Sequence, residues 1–407
     1  MANVVPVPKK NCSSISDFRP ISLLPLPSKI LEKVVLTSIK DALVGLYGLN
    51  QFGFRPGSST LLAHIAIHDF ITRHLDLTTT LGVILITFDM KKAFDSLSHE
   101  CLLNTLSEGN LPQNFILWTQ SFLRSRKQNV ILNGVLSSNT ISVTSGVPQG
   151  SVLAPYLFAC HMGSLKANLP DTRMIKYADD VTLLCPFSSR DMIQTMIHTE
   201  LQNMKTWCDS HGLSLNEKKT NVLIFKKPRI DYSTLVSVTP SLCSYLKILG
   251  VTFNDELNWN SHVDSITKSA SRRIHVLRQL KKIPTVTKKD LLLVYESYIL
   301  SVIEYNTPLL IGLSKGNSER LERIRKRCHR IICGFNCHCD DFPTLSSRRH
   351  TQAMKVFSLM QKPDHLTHSL IPHAMPRSQH FYLEPMRTER RLLSFIPYCC
   401  IQSNNLL

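Results

Sequence analysis

No run of apolar residues in these 407 is long enough to cross a bilayer. The richest, Leu291 to Leu313, is broken by Glu296, Glu304, Asn306 and Pro308, whereas a span needs about 20 nearly uninterrupted apolar residues. A secretory leader is not expected either, because MANVVPVPKK sets prolines where such a peptide has its apolar core. There is no internal repeat, no low-complexity stretch and no H-E-x-x-H helix. The twelve cysteines follow no small-domain disulfide spacing, and Cys185, Cys208 and Cys243 sit in apolar surroundings, so reduced thiols in an intracellular protein are expected. Acids are scarce: 30 Asp and Glu against 47 Lys and Arg leave a formal charge of +17. Such a balance says nothing of fold but favours a polyanionic partner, nucleic acid or an anionic surface. The excess is uneven, since the stretch from Ser271 to Leu407 has 22 basic and 10 acidic residues.

With 43% hydrophobic residues the chain can bury at least one large core, and its length suggests two or three domains. Prolines punctuate FRPISLLPLPSKI, after which Ile30, Leu31, Val34, Val35 and Ile39 recur at helical spacing. A Gly/Pro/Ser turn at Gly53 to Ser59 precedes a helix from about Thr60 to His74. LGVILITFDM is a continuous β-branched run of strand length that ends in a carboxylate, and KKAFDSLSHECLLNTL predicts a helix after it. QNVILNGVLSSNTISVTSG predicts a hairpin turning near Leu136 to Asn139. The Gly146 to Gly150 turn leads into the apolar helix SVLAPYLFACHM, and MIKYADDVTLLC is strand, tight turn and strand. A helix from about Arg190 to His211 comes next, and then the strand NVLIF. Strand signals stop after about Asn258, which places a boundary near Ser261; beyond about Cys339 periodicity is poor and a loosely structured tail is expected.

Asp89 and the Asp179–Asp180 pair each follow a buried strand, where unpaired carboxylates are costly. Two strand tips side by side would gather three acids that must take up protons or bind cations. Two Mg²⁺ ions about 3.5–4 Å apart stabilise the attacking and leaving oxygens of an in-line phosphoryl transfer, and magnesium needs few carboxylates for it. A lone Asp after a strand is more often a turn residue or helix cap. The conjunction of the three acids with the intervening glycine-proline turn is what favours the metal reading.

FDMKKAFDSL, SGVPQGSVLAP, YADD, LSLNEKKTNVLIF and LKILGVTF, in that order, resemble the motif series of non-LTR (LINE-type) retrotransposon reverse transcriptases. FRPISLLPLPSKILEKVV and NQFGFRPGSST resemble the family's two upstream finger blocks, so the likeness covers about residues 4–265. A weaker likeness continues in HVDSITKSASRRIHVLRQL, ERLERIRKRCHRIICG and RTERRLLSFIP. A group II intron maturase shares the chemistry, but the wording of the finger blocks favours the retrotransposon branch. The resemblance implies an α+β, right-hand polymerase fold, with fingers and palm over 1–260, a helical, basic, thumb-like region over 261–339 and a poorly patterned basic tail over 340–407. It implies RNA-directed DNA polymerisation from an RNA template, a DNA primer and deoxynucleoside triphosphates. Two Mg²⁺ ions, or Mn²⁺ in their place, would be held by Asp89, Asp179 and Asp180. Synthesis in the cytoplasm, action in the nucleus and no membrane partner are implied with it. The chain opens almost at the first block, so a truncated copy without the endonuclease is expected.

Residue by residue, Phe94 falls on the bulky position beneath the incoming sugar, where an aromatic wall would reject a 2′-hydroxyl; core packing is the plain alternative. Gln149 falls near the nucleotide and template, and Lys219 near the triphosphate, where an ammonium could help neutralise or protonate the leaving pyrophosphate. Arg19, Lys29 and Arg55 lie in the finger blocks and would hold phosphates, unless the arginines bond turn carbonyls instead. Asp95 is expected to favour its helix dipole over metal. In SERLERIRKRCHRIICG, Leu321, Ile324, Cys328 and Ile331 form one stripe between Ser318 as N-cap and Gly334 as C′ residue. Arg323, Lys326 and Arg327 lie on the other faces, placed to grip a duplex through its phosphates. Cys328, Cys333, Cys337 and Cys339, with His329 and His338, follow no zinc spacing, and helix packing explains the first two better. The rival to an active polymerase is a catalytically silent, nucleic-acid-binding remnant.

Overall fold

The computed structural model describes residues 2–9, 14, 17–227, 241–334 and 342–405. The chain divides into two compact units. One comprises Met1–Ser58, Ile86–Leu183 and Gln194–Thr220; the other comprises Ser59–Leu85, Leu184–Ile193 and Asn221–Leu407. The strands Gly82–Phe88 and Asp180–Phe187 run through both.

In the first unit the β-branched run forms its strand as expected, fully buried at Ile86. Its hydrogen-bonded neighbour is Asp180–Phe187, flanked in turn by Arg173–Tyr177. A second sheet joins Ala2–Pro8 antiparallel to Phe18–Leu23 and parallel to Arg126–Leu132. Arg126–Leu132 turns back at Asn133–Gly134 rather than near Leu136 to Asn139, pairing Leu132 with Val135 and Ile131 with Leu136. Asn133 and Gly134 both take positive φ, 51° and 80°, the Asn-Gly hairpin turn whose twist suits the flanking strands. Ile141–Val143 then pairs with Arg126–Gln128.

The helix expected over KKAFDSLSHECLLNTL is two, Ala93–Ser96 and His99–Glu108. The break is chemical: Ser98 is extended, and its hydroxyl accepts the Cys101 N–H as an N-cap. Helix Leu26–Leu46 forms, but its buried face is Glu32, Leu36, Ile39 and Leu43, while Ile30, Leu31 and Val34 are exposed. Of the apolar positions that marked the helix, Ile39 is buried and Val35 half-buried, while Ile30, Leu31 and Val34 lie off the buried face.

In the second unit Thr60–Asp76 is buried almost all round, from Leu62 to Thr72, which makes it a core helix. Tyr245–Ile248 and Val251–Asn254 form a hairpin turned by Leu249 and Gly250, both at positive φ. Helix Asn260–Leu280 begins where strand signals cease. Lys288–Val294 opens on a Thr287–Asp290 capping box and continues as a π-turn, Tyr295–Leu300. The basic helix is Lys315–Cys333, capped by Ser314 rather than Ser318, because the Ser314 hydroxyl accepts the Asn317 N–H. Leu321, Ile324 and Cys328 face inward with Ile332 in place of Ile331, and Arg325 is buried with them, paired to Glu322. Cys333 is half-buried; Cys337, His338 and Cys339 lie outside the described residues.

Past Cys339 the chain is more regular than its pattern suggests, with helices Leu345–Met360 and Phe395–Asn404. The latter buries Phe395, Ile396, Pro397, Cys399 and Cys400, on every side rather than as one stripe, so no 3.6-residue period marks it. Asp76 accepts the N–H groups of Arg387 and Thr388 at 3.1 and 2.8 Å, and Arg391 donates to buried Asp69 at 2.6 Å. These bonds anchor the end of the chain to the Thr60–Asp76 helix.

Three histidines in this unit are held neutral. His64 Nε2 donates to the Ile248 carbonyl at 2.8 Å, and Nδ1 accepts the Asn306 amide at 2.9 Å, leaving no place for a second proton. Burial lowers the pKa of His64, His68 and His262 from 6.5 to about 4. Since the folded values lie below the unfolded one, their contribution is complete above about pH 6.5 and is lost as pH falls toward 4. Urea midpoints are therefore expected to drop steadily from pH 7 to pH 4.5, by at most about 1.4 kcal/mol per pH unit for each histidine. Midpoints that stay level across this range would refute the neutral assignment.

Candidate active site

Asp89 follows the buried strand directly, and the chain beyond it pairs briefly with a distant segment, Met90 with Leu215 and Lys91 with Ser214. That pairing brings Asn216 onto Asp89 twice: its backbone N–H donates to the Asp89 carbonyl at 2.8 Å, and its amide Nδ2 to Oδ2 at 3.0 Å. Lys219 Nζ lies 3.3 Å from the same oxygen. The lysine expected near a triphosphate thus rests against the first acid.

Asp179 and Asp180 occupy the two-strand turn, with Ala178 before them in the left-handed region. Asp180 touches solvent, yet enough protein surrounds it that desolvation, ahead of the Asp179 and Asp89 charges, raises its pKa to about 6. Burial also raises Asp179, and Asp89 adds to the rise, while its own backbone N–H, Arg19 and Lys9 oppose it. The charges of Asp89 and Asp179 thus raise Asp180 despite the cations nearby. Arg19 faces this cluster, and so does Lys9, which sequence reasoning missed. Its only signal was a basic residue at the end of a proline-rich strand.

The Ser145–Gly150 segment lies along the Phe94–Leu97 backbone. Val147 N–H donates to the Phe94 carbonyl at 2.8 Å and Gly146 N–H to Leu97 at 2.7 Å. Gly146 (φ 79°) and Gly150 (φ 117°) allow this, since a Cβ on either would lie 2.5 Å from a backbone oxygen, of Asp95 or Ser22. Gln149 Nε2 donates to Asp95 Oδ1 at 2.9 Å, so Asp95 holds the glutamine, a partner beyond the helix dipole expected for it. Phe94 is half-buried, stacked on Phe158 at 4.2 Å and edge-on to Phe54 at 6.2 Å. Beside these residues opens a cavity of about 660 Å³ lined by Lys92, Asp95, Arg126, Lys127, Ser145 and Gln149, among others.

Other candidates stand apart from the acids. Arg55 donates to the carbonyls of Gly48 at 2.6 Å and Val44 at 3.4 Å, closing the end of helix Leu26–Leu46, the turn-bonding alternative for this residue. Lys29 is half-buried in that helix's first turn. Arg323, Lys326 and Arg327 are exposed on the basic helix of the second unit.

Among the described residues no three His, Cys, Asp or Glu side chains stand together as a ready-made cation cage. The donor set nonetheless fits a hard divalent ion: three carboxylates and no sulfur or imidazole, repelling one another in a way that a cation would relieve.

An α+β chain with acids at the tips of neighbouring strands, and a glycine-hinged turn laid beside them, is of the nucleic-acid polymerase class. Residues 7–253 match the family "Reverse transcriptase (RNA-dependent DNA polymerase)", and the chain belongs to that family. Its curated relatives come from mobile elements of the non-LTR kind that the motif series resembles. A probable RNA-directed DNA polymerase from transposon BS of Drosophila melanogaster is 27% identical over 80% of this chain and 37% of that protein. The RNA-directed DNA polymerase from mobile element jockey of the same species is 25% identical over 80% and 36%. The chain thus spans less than two fifths of the length of these relatives. Among solved structures, telomerase from Candida tropicalis aligns with 91% of this chain and 63% of its own, at 12% identity and a TM-score of 0.47, too slight a likeness to carry residues across.

The order of the causes raising Asp180 yields a direct test. In metal-free buffer, carboxyl-carbon NMR should show the Asp180 midpoint falling from about 6 in both Asp179→Asn and Asp89→Asn, and further in the former. A midpoint that moves in neither variant would mean that the acids do not share a site.

Proposed function

We propose that this chain is an RNA-directed DNA polymerase that extends a DNA primer on an RNA template with deoxynucleoside triphosphates. The observation that carries the reading is the placement of Asp89 and of the Asp179–Asp180 turn at adjoining ends of the hydrogen-bonded strands Gly82–Phe88 and Asp180–Phe187. These carboxylates would hold two Mg²⁺ ions, or Mn²⁺. Bound there, the metal supplies stabilisation of charge on the attacking and leaving oxygens of nucleotidyl transfer.

The chain's own groups do the rest. Phe94, stiffened by Phe158 and Phe54, walls the sugar side against a 2′-hydroxyl. Gln149, oriented by Asp95, presents its remaining amide capacity to nucleotide and template. Lys219, which rests against Asp89 at 3.3 Å, would supply an ammonium to help neutralise or protonate the leaving pyrophosphate. Arg19 and Lys9 bring positive charge to the triphosphate side, and Lys29 adds to it from the finger block. We assign residues 1–260 to fingers and palm, 261–339 to a thumb-like region and 340–407 to a basic C-terminal region. A nuclear place of action is part of the same proposal.

Asp89→Asn should abolish extension on RNA templates, while duplex affinity without metal stays within a few-fold of the parent, because the charge acts on the transition state. Phe94→Ala should keep extension and admit ribonucleotides. Normal extension by Asp89→Asn would refute the assignment. An inert parent that still binds duplex would hand the conclusion to the non-catalytic, nucleic-acid-binding reading.

Salt dependence tests the basic helix separately. Neutralising Arg323, Lys326 and Arg327 together should flatten the slope of log affinity against log salt for an RNA–DNA duplex by about 2–3, at roughly 0.7–0.9 per phosphate contact. An unchanged slope would make that helix ordinary surface.

A further inference from the structure

The turn that presents Asp179 and Asp180 requires Ala178 at φ 58°, a region that residues bearing a Cβ rarely adopt. Such a conformation persists only where its surroundings over-determine it. Here the surroundings are Gln51. Its side chain is fully buried. Oε1 accepts the N–H groups of Gly53 at 2.9 Å and of Ala178 at 3.1 Å, and Nε2 reaches the Ala178 carbonyl at 3.5 Å. One amide thus holds both polar groups of the strained residue.

The backbone reinforces the grip. Lys176 N–H donates to the Asn50 carbonyl at 2.8 Å and Phe52 N–H to the Lys176 carbonyl at 2.8 Å, so the segment lies alongside the strand that enters the turn. Gly53 is so close that a Cβ there would sit 2.4 Å from the Ala178 nitrogen. The side-chain bonds of Gln51 thus go to the residue immediately before the acids rather than to the acids themselves.

We propose that Gln51 is a positioning residue, which locks Ala178 in its left-handed conformation and thereby sets the direction of the Asp179 and Asp180 carboxylates toward the metal. The proposal rests on the polymerase reading and adds to it a residue outside the acid-bearing motifs. Gly53 is its necessary companion, since only a residue without a side chain lets the two segments approach so closely.

Gln51→Met keeps the volume and removes both hydrogen-bonding functions. In the full chain, calorimetric titration with Mn²⁺ should show a Kd raised about 10-fold, and kcat for primer extension should fall about 10–100-fold, the range typical of groups that orient metal ligands. The KM for deoxynucleotide and the metal-free duplex affinity should stay close to the parent's; the melting temperature should fall modestly, since buried N–H groups lose their acceptor, and the metal and kcat effects should persist well below it. Gly53→Ala sets a Cβ 2.4 Å from the Ala178 nitrogen and 3.1 Å from Gln51 Oε1, so it should weaken Mn²⁺ binding and extension in the same way, measured well below a melting temperature that itself falls somewhat. That variant decides the matter if Gln51→Met fails to fold. A parent that binds Mn²⁺ and extends primers, beside variants that do both equally well, overturns the Gln51 assignment and leaves the polymerase reading intact. A loss that only follows a lowered melting temperature overturns it as well. A parent that binds no Mn²⁺ and extends nothing refutes the polymerase reading itself, and the assignment falls with it.

Discussion

Carboxylates brought by buried strands to adjoining tips repel each other, and groups from distant segments stand against that repulsion. Asp179 and Asp180 lose part of their hydration to the protein around them, whereas Asp89 is met by Asn216 and Lys219. The balance comes from cations remote in sequence. Lys9 and Arg19 arrive from the Ala2–Pro8 and Phe18–Leu23 strands, and Lys219 from the turn before Asn221–Lys226. None of these is a sequence neighbour of the acid it faces. Electrostatics therefore couples segments far apart in sequence, reinforced at Asp89 by the strand pairing and the Asn216 bonds that bring Lys219 beside it.

Glu32 shows what a carboxylate looks like when structure alone is served. It is 1% exposed, more deeply buried than any of the three aspartates, yet Oε2 accepts from the Ser151 hydroxyl and from the Val152 and Leu153 N–H groups at 2.8 and 3.1 Å, and Oε1 from the Ser28 hydroxyl at 3.4 Å. Those donors open the Ala154–His161 helix, whose dipole also favours a negative charge. Glu32 thus fixes the exit of the glycine turn that carries Gln149. Asp180 is instead exposed at its turn, and partial desolvation with the Asp179 and Asp89 charges raises its pKa to about 6. The same chemical group serves architecture at Glu32 and stands open to solvent at Asp180.

Much of this was legible along the chain, because the relevant signals are local. A β-branched run ending in Asp, a tight turn holding two more and a glycine-proline turn between them are patterns of adjacent residues. What escaped is non-local. Asn216 reaches Asp89 only because two-residue strands pair across a long separation, and Gln51 reads as a polar residue in a finger block until it is found beneath Ala178. The misplaced hairpin turn was a matter of chemistry overlooked, since Asn133–Gly134 is a strong turn signal. The buried face of helix Leu26–Leu46 carried a signal in Leu36, Ile39 and Leu43, spaced i, i+3 and i+7, but exposed Ile30, Leu31 and Val34 offered a competing stripe. What sequence could not show is why a glutamate joins the buried face, which the helix N-terminus awaiting Glu32 explains.

The basic helix of the second unit carries a related lesson about charge. Counting arginines there overstates what a polyanion could meet, because Arg325 is 2% exposed and tied to Glu322, with a further bond to the Phe342 carbonyl at 3.4 Å. That arginine fastens its helix to the segment leading into Leu345–Met360 and contributes little outward field. Arg320 is likewise paired, with Asp264. Arg323, Lys326 and Arg327 are exposed on the same helix, and exposure rather than number is what allows counterions to be exchanged for phosphates. The net charge of +17 already cancels such pairs, and what it leaves out is where the remaining basic groups lie. The part that can act on nucleic acid is the part the fold has not already used.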